Sequence, residues 1–423
     1  MTGGEVVITG AGLVCPLGDA DSTWKALIEG RSAVSAVRGF DASGFPCSAA
    51  AQVEGLTAAT LGIRPRDGRI MDLHVFMLIK AAREAAAAAG MDSSGYAAEE
   101  RAFFAGMAAV DYDIEDLMGA VSASLSDGRL DYDLFYGGAY REIYPLWPLG
   151  MLNNVGFCQA AIDLGIKGEN TVYSPHGDAG ALALWEASCT VGRSRAGVAL
   201  AAGVSEKVSP PAMARAALAG VLAAGGESAR CRPFGADRSG TVPGEGCAVA
   251  VMERAGPASR RGAHFHAAVA GFGAAFGLAP GGAFPSRGAV SSAMEAALRT
   301  AAVEPEDVDL IMACADGTKE GDAGEIAALN GLFGRCDPGP LVYASKGALG
   351  DTGAAAPAID AVLALKMMEE GVVPPTLHTE ELDGTAEFRL AAGRAVERDV
   401  RTVLINARSR LGQCASLVVR RLR

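Results

Sequence analysis

Residues 171–180 read T-V-Y-S-P-H-G-D-A-G, and the rest of the chain is organised around this stretch. Its apolar start predicts a buried strand over residues 171–173, followed by a turn and a helix over about 178–189. A turn at the amino end of a buried helix suits a nucleophile, because free backbone N–H groups and the helix dipole favour negative charge there. An enzyme would place Cys or Ser at this turn, whereas this chain has His176-Gly177-Asp178. The turn is therefore either an unusual active site or the remnant of one.

Apolar strands alternate with helical segments along the whole chain, which predicts an α/β protein. Both halves follow the same strand–helix order and end on hydrophobic strands, although no sequence repeat is visible. The run 254–261 contains Gly, Pro, Ser and three Arg, which is typical of a boundary between two units.

The composition narrows the possible functions. The chain has 423 residues, of which 50% are hydrophobic, so it can bury a large core. Its formal net charge of −12 argues against general binding to nucleic acid or to anionic membranes. The sequence contains no uninterrupted apolar run that is long enough to predict a membrane span. Nine Cys without a C-x-x-C pair, together with only five His, argue against a metal site and favour reduced thiols in the cytoplasm.

Several segments together resemble the β-ketoacyl-(acyl carrier protein) synthases of the thiolase fold. The segments that carry the resemblance are V-V-I-T-G-A-G-L-V-C-P-L-G (6–18), R-P-F (232–234), V-P-G-E-G (242–246) and V-P-P-T (373–376). The resemblance covers nearly the whole chain. It implies two similar βαβαβαββ halves, residues 1–255 and 262–423, in a five-layered α-β-α-β-α arrangement. It also implies an insert at about 110–150 that lies at a dimer interface, and no cofactor.

That family uses a Cys nucleophile and two His, and none of the three is present here. The resemblance aligns Gly177 with the Cys, and Asp316 and Asp351 with the two His, while Lys346 and Glu325 are retained. Glycine cannot form a thioester. A carboxylate is normally only a hydrogen-bond acceptor at neutral pH, and it would repel a forming enolate.

One branch of the family has similar losses, namely the chain length factors, or β subunits, of type II polyketide synthases. The resemblance to this branch rests on Ala315-Asp316-Gly317 and Ala407-Arg408-Ser409-Arg410. It implies a non-catalytic subunit that forms a heterodimer with an active ketosynthase α subunit and meets the acyl carrier protein through that complex. It also implies that Val110, Asp113 and Leu117 form a gate along one helical face that limits the length of the product. Those subunits commonly have Gln at the lost Cys, and Gly177 cannot take over the decarboxylating role proposed for that Gln.

The residues leave a second interpretation open. His176 and Asp178 are titratable groups on the turn, so the chain can also be interpreted as a stand-alone acyltransferase or thioesterase with an atypical centre. A structural role for the charged residues is the simpler alternative. We expect Lys346 to neutralise Asp316 or Asp351, and we expect Arg408 and Arg410 to pair with the same carboxylates and fill the former pocket.

Overall fold

The computed structural model describes residues 5–110 and 115–422. Within these ranges the helices are α1 (Ala20–Ile28), α2 (Pro65–Gly68), α3 (Leu73–Ala88), α4 (Glu115–Ala123), α5 (Tyr132–Gly137), α6 (Trp147–Gly150), α7 (Asn153–Asp163), α8 (Ala179–Gly192), α9 (Pro210–Leu218), α10 (Ala255–Arg260), α11 (Arg287–Ala301), α12 (Lys319–Phe333), α13 (Lys346–Leu349) and α14 (Ala356–Glu370). The predicted alternation of helices and strands is confirmed. No helix in the described ranges combines the length and the apolar character that a bilayer span requires.

The strands of the same ranges are β1 (Val6–Val14), β2 (Ser35–Ala36), β3 (Ala49–Ala50), β4 (Arg101–Met107), β5 (Leu125–Ser126), β6 (Arg129–Leu130), β7 (Asn170–Tyr173), β8 (Val198–Val204), β9 (Cys247–Arg254), β10 (Ala267–Phe276), β11 (Leu310–Met312), β12 (Leu341–Tyr343), β13 (Val372–Val373), β14 (Arg389–Leu390), β15 (Val396–Glu397), β16 (Thr402–Arg408) and β17 (Gln413–Arg421).

The two halves repeat one strand order. The first half runs β1-β9-β8-β4-β7, and the second runs β10-β17-β16-β11-β12, with β14 added at its edge. Strands β1 and β10 pair antiparallel through Val7–Ala268 and Ile8–Ala267, which joins both sets into one 11-stranded sheet. The architectural duplication expected from the sequence is therefore present, and the two halves are continuous along this edge.

Five layers follow from the way the helices cover the strands. Helices α8 and α14 touch each other and contact strands of both halves, and they belong to one buried cluster with those strands. On the outer faces, α3 and α7 cover the first half, and α11 and α12 cover the second. Burial of apolar surface in these layers supplies most of the driving force for folding.

The turn between β7 and α8 lies where the central helices meet the sheet. The predicted strand and helix are found at Asn170–Tyr173 and Ala179–Gly192, each within a few residues of the expected bounds. Gly180 is needed for close packing, because a Cβ built on it would lie 2.3 Å from the carbonyl oxygen of Ala354. The turn is thus held against the second half of the molecule by backbone contacts.

The gate residues do not all lie on the one helix that the sequence predicted. Of the three, Val110 lies outside any helix, Leu117 lies on α4, and Asp113 falls outside the described residues. Val110 follows the end of β4, where the Ala108 N–H donates to the Val204 carbonyl at 3.0 Å and keeps the chain beside β8. The expectation that one helical face carries both Val110 and Leu117 was therefore wrong.

Candidate functional site

A cavity of about 580 Å³ opens beside the turn. It is lined by residues that the sequence singled out from distant parts of the chain, namely His176, Gly177, Asp316, Lys346, Asp351, Arg408 and Arg410. Both halves contribute to it, because the turns after β7 and β12 meet the ends of β11 and β16 there. The fold therefore brings the three positions that the resemblance aligns with Cys and the two His together around one space.

Gly177 has no room for a side chain. A Cβ built on it would lie 2.5 Å from the backbone carbonyl oxygen of Arg408, and real Cβ atoms do not approach an oxygen that closely. The obstacle is the backbone of β16, which cannot swing aside as a flexible side chain can. The position that aligns with the nucleophile is closed by packing as well as empty of a thiol.

The Arg408 side chain is buried among three carboxylates. Its guanidinium contacts Asp316 at 3.0 Å, Asp322 at 2.9 Å and Glu325 at 3.0 Å, and only 4% of the side chain is exposed. It also donates to the carbonyl oxygen of Gly321. A buried charge is tolerated when it is paired and hydrogen-bonded in this way. Arg408 thus cross-links β16 to the turn after β11 and to α12.

Asp322 forms the centre of this cluster, and the resemblance implies that it is retained from the family, as Glu325 is. It is fully buried and accepts backbone N–H groups from Phe234 at 2.8 Å, Asp316 at 3.0 Å and Gly317 at 3.2 Å. Burial, and then the charge of Asp316, raises the pKa of Asp322 to about 7. No local pattern indicates this role, because one of its donors lies 88 positions away.

Asp316, which aligns with the first His, is held as a carboxylate. Its side chain accepts hydrogen bonds from the backbone N–H and the hydroxyl of Thr318. Burial alone would raise its pKa, but the charges of Arg408 and Lys346 and the Thr318 hydrogen bonds outweigh burial and lower the pKa to about 2. A permanently negative, hydrogen-bonded group at this place cannot donate a proton to a substrate oxygen.

Lys346 pairs with Asp351, the residue that aligns with the second His. The ammonium nitrogen lies 2.8 Å from Asp351 Oδ1 and 3.5 Å from the sulfur of Cys314. Burial opposes the charge on Lys346, but the carboxylates of Asp351 and Asp316 outweigh burial and raise the pKa of Lys346 well above its usual value. Each of the two positions that align with His therefore carries a carboxylate neutralised by a separate cation.

Arg410 differs from the sequence expectation. It is exposed at the rim of the cavity and makes no ion pair within the described residues, so it neither joins the carboxylate cluster nor fills the space. Only Arg408 of the two arginines pairs with Asp316. The expectation of a filled pocket was wrong, because Arg408 is drawn into the carboxylate cluster and leaves the cavity open.

His176 and Asp178 are close in sequence but do not form a dyad. His176 lines the cavity, and within the described residues no hydrogen bond joins it to Asp178. Burial raises the pKa of the Asp178 carboxyl, and the neighbouring His176 offsets part of that rise. A general base needs an aligned hydrogen-bonded partner to act on a nucleophile, and the turn does not present one.

A thiol also lines the cavity, although no sequence pattern singles it out. Cys314 follows β11, lies beside Lys346 and is 4% exposed. Burial raises the pKa of this thiol to about 11, with Lys346 offsetting only part of the rise. A thiol of that kind is protonated and unreactive at neutral pH.

No group of His, Cys, Asp or Glu within residues 5–110 and 115–422 is arranged to hold a metal ion. Among the charged residues of the cavity, Lys346 is paired with Asp351 and Arg408 with Asp316.

Most of the chain is similar to known protein families. Residues 4–258 match the family described as "Beta-ketoacyl synthase, N-terminal domain", and residues 266–380 match "Beta-ketoacyl synthase, C-terminal domain". The chain is 30% identical over 427 residues to a Streptomyces coelicolor (strain ATCC BAA-471 / A3(2) / M145) protein named "Putative polyketide beta-ketoacyl synthase 2", covering 99% of this chain and 96% of that one. It is 26% identical over 425 residues to "3-oxoacyl-[acyl-carrier-protein] synthase 2" of Staphylococcus aureus (strain N315), covering 99% and 98% of the two chains.

Among solved structures, the fold is similar to "The ishigamide ketosynthase/chain length factor". The TM-score is 0.86 at 27% sequence identity, and the match covers 99% of each chain. That similarity extends over both halves and includes the strands and helices that build the cavity.

Proposed function

The chain belongs to the β-ketoacyl synthase family, and from that premise we propose that it is the non-catalytic, chain length factor subunit of a type II polyketide synthase. In this role it pairs with an active ketosynthase as a heterodimer. It shapes the tunnel in which a carrier-bound polyketide or polyene chain grows by decarboxylative Claisen condensation. The partner supplies the Cys and both His.

The observation that carries this proposal is the contact between Gly177 and the Arg408 carbonyl oxygen. The loss of the nucleophile is built into the backbone packing and is accompanied by paired carboxylates at both positions that align with His. Because the Cys314 thiol of the cavity is buried and protonated and, within the described part of the chain, His176 has no hydrogen bond to Asp178, we assign the chemistry to the other subunit.

An exposed apolar segment supports pairing with a partner. Most of the exposed large apolar side chains of the described residues lie between positions 118 and 162, among them Tyr132 at 65% exposed, Tyr136 at 72% and Ile162 at 71%. Aromatic residues are enriched in protein interfaces, and a concentration of exposed apolar side chains in one segment is typical of a surface that a partner covers. The occupant we propose is a ketosynthase of the same fold, because the similar structure is named as a ketosynthase/chain length factor.

The carrier protein is the second proposed partner. The Staphylococcus relative is named as a synthase of a 3-oxoacyl-[acyl-carrier-protein]. Carrier proteins are acidic, and this chain has a formal net charge of −12, so like charges favour docking mainly on the partner subunit. The cysteines are all free thiols, which is usual in a reducing compartment and supports a cytoplasmic location for the complex.

Co-expression with the ketosynthase encoded beside this chain tests the proposal. We expect a stable complex whose condensation activity is lost when the partner's nucleophilic Cys is changed to Ala. We also expect condensation to survive His176→Ala and Asp178→Ala, whereas losing a true general acid or base typically costs about 100-fold or more. Condensation or thioester hydrolysis by the isolated chain, abolished by His176→Ala, would favour the stand-alone acyltransferase or thioesterase instead.

A further inference from the structure

Three neighbouring spaces, linked by shared lining residues, lead from the cavity beside Gly177 to the insert. The first is the cavity of about 580 Å³ described above. The second is a small space of about 10 Å³ beside Val110, and the third, of about 140 Å³, is bordered by Leu146, Trp147 and Met151 of the insert. Lys207 borders the first and second spaces, and Asp72 borders the second and third. These two residues therefore stand between the spaces.

Lys207 and Asp72 form an ion pair between these spaces. The ammonium nitrogen of Lys207 lies 3.1 Å from Asp72 Oδ2 and 3.4 Å from Oδ1. Asp72 is also the N-cap of α3, where its Oδ1 accepts the Leu73 N–H at 2.7 Å. Lys207 follows β8, and the next residue, Val208, donates its N–H to the buried Glu245 at 2.7 Å. Both ends of the pair are consequently anchored in regular structure.

The neutral imidazole of His74 lies beside the ion pair. His74 is buried beside Asp72 and borders the small space. Burial lowers the pKa of His74 to about 4, so the imidazole is neutral near pH 7. The small space holds roughly a single water molecule, which leaves no passage for an acyl chain while the pair is closed.

We infer that the Lys207–Asp72 ion pair is the end wall of the chain-growth tunnel and thus sets product length, an inference that rests on the proposed function. A chain made at the partner's Cys enters from the insert side and passes Leu146 and Met151. Its apolar tip then meets the ion pair. Advancing further would strip water and partners from two charges, which costs more than burying a few methylene groups gains.

Removing the pair should connect the space of about 140 Å³ beside the insert, through the small space, to the cavity of about 580 Å³. The variant Asp72→Ser/Lys207→Ala does this and keeps a capping hydroxyl at the start of α3. The matched control is Glu84→Ser/Lys80→Ala, which removes another Lys–carboxylate pair from α3, with a separation of 2.7 Å, that borders none of the three spaces.

The experiment reconstitutes each variant with the ketosynthase and carrier protein and measures product length by mass spectrometry. We expect Asp72→Ser/Lys207→Ala to lengthen the products by one or more ketide units, and the control to leave them unchanged. Unchanged product length at normal yield would overturn this inference and leave the proposed function intact. Failure of the unmodified chain to support any condensation would overturn the proposed function instead. If the double variant does not form the complex, the single variant Lys207→Ala, which keeps the Asp72 cap, is tested instead. Longer products by mass spectrometry would again support the inference, and unchanged product length would overturn it.

Discussion

The carbonyl oxygen of Arg408 occupies the space into which a side chain on Gly177 would point, at 2.5 Å from the position of a Cβ. The same residue uses its guanidinium to bind Asp316, Asp322 and Glu325. One residue of β16 thus closes the position that aligns with the family's Cys with its backbone and neutralises the cluster around Asp316 with its side chain. The packing at Gly177 and the ion pairs at Asp316 are therefore physically linked through Arg408.

Restoring the thiol should therefore not restore the chemistry. In Gly177→Cys the new side chain forces β16 and the turn apart, and overpacking of this kind costs about 1–3 kcal/mol or more of unfolding free energy. We expect urea unfolding to show that loss, and acyl transfer by the isolated variant to stay at background. Gly44→Ala is the control, because a Cβ there meets nothing within 4 Å. Rapid acylation of the new Cys would contradict the account.

Arg408→Met should be among the most destabilising substitutions of the site. It leaves buried carboxylates without their cation, and removing one partner of a buried ion pair typically costs about 3–5 kcal/mol. Arg410→Met, at the exposed rim, should change the free energy of unfolding by less than about 0.5 kcal/mol. Equal effects of the two changes in urea unfolding would show that the cluster does not stabilise the fold.

These contrasts show what the sequence could and could not predict. The turn and the strands and helices around it follow from local pattern. Family motifs align Gly177, Asp316 and Asp351 with the Cys and the two His of the family. The Arg408 carbonyl contact does not, because it depends on how β16 packs against a turn that lies more than 200 residues earlier in the chain. Lys346 forms its ion pair with Asp351 and not with Asp316. The sequence allowed either pair, and tertiary packing decides between them.

Stability should depend on pH through three buried carboxyl groups. Burial raises the pKa of Asp322, Glu245 and Asp360 to about 7 each. The folded protein then holds protons that the unfolded chain releases, so their contribution to the free energy of unfolding falls as the pH rises from about 4 to about 7. The lowered pKa of Asp316, about 2, has the opposite effect, and its contribution is lost as the pH falls below about 4.

Asp360→Asn isolates one of these groups. Its side chain accepts the Ser345 hydroxyl at 2.6 Å, which an Asn oxygen can still do. Each extra proton contributes a slope of at most about 1.4 kcal/mol per pH unit. We expect urea unfolding between about pH 4 and 7 to show a shallower slope for this variant. Asp41→Asn, an exposed site whose pKa is lowered by hydrogen bonds from Ser43, should leave the slope unchanged; identical slopes for both variants would refute the assignment.

Enlarging the gate residues Val110 and Leu117 should change product length in the reconstituted complex. Val110 borders the small space beside His74, and Leu117 is half-buried on α4. Adding bulk with Val110→Phe or Leu117→Trp should shift the products toward shorter chains, as measured by mass spectrometry. Leu218→Trp is the control, because Leu218 is 90% exposed on α9. A pure scaffold would give the same product lengths with all three variants.

Intact-mass spectrometry of both subunits during turnover tests the central claim most directly. The reconstituted complex is supplied with acyl and malonyl carrier protein, and Cys158→Ser is introduced to remove the exposed thiol of this chain. The account predicts that an acyl adduct accumulates on the ketosynthase and that this chain keeps its unmodified mass. An acyl adduct on this chain that forms and decays at the rate of condensation would contradict it.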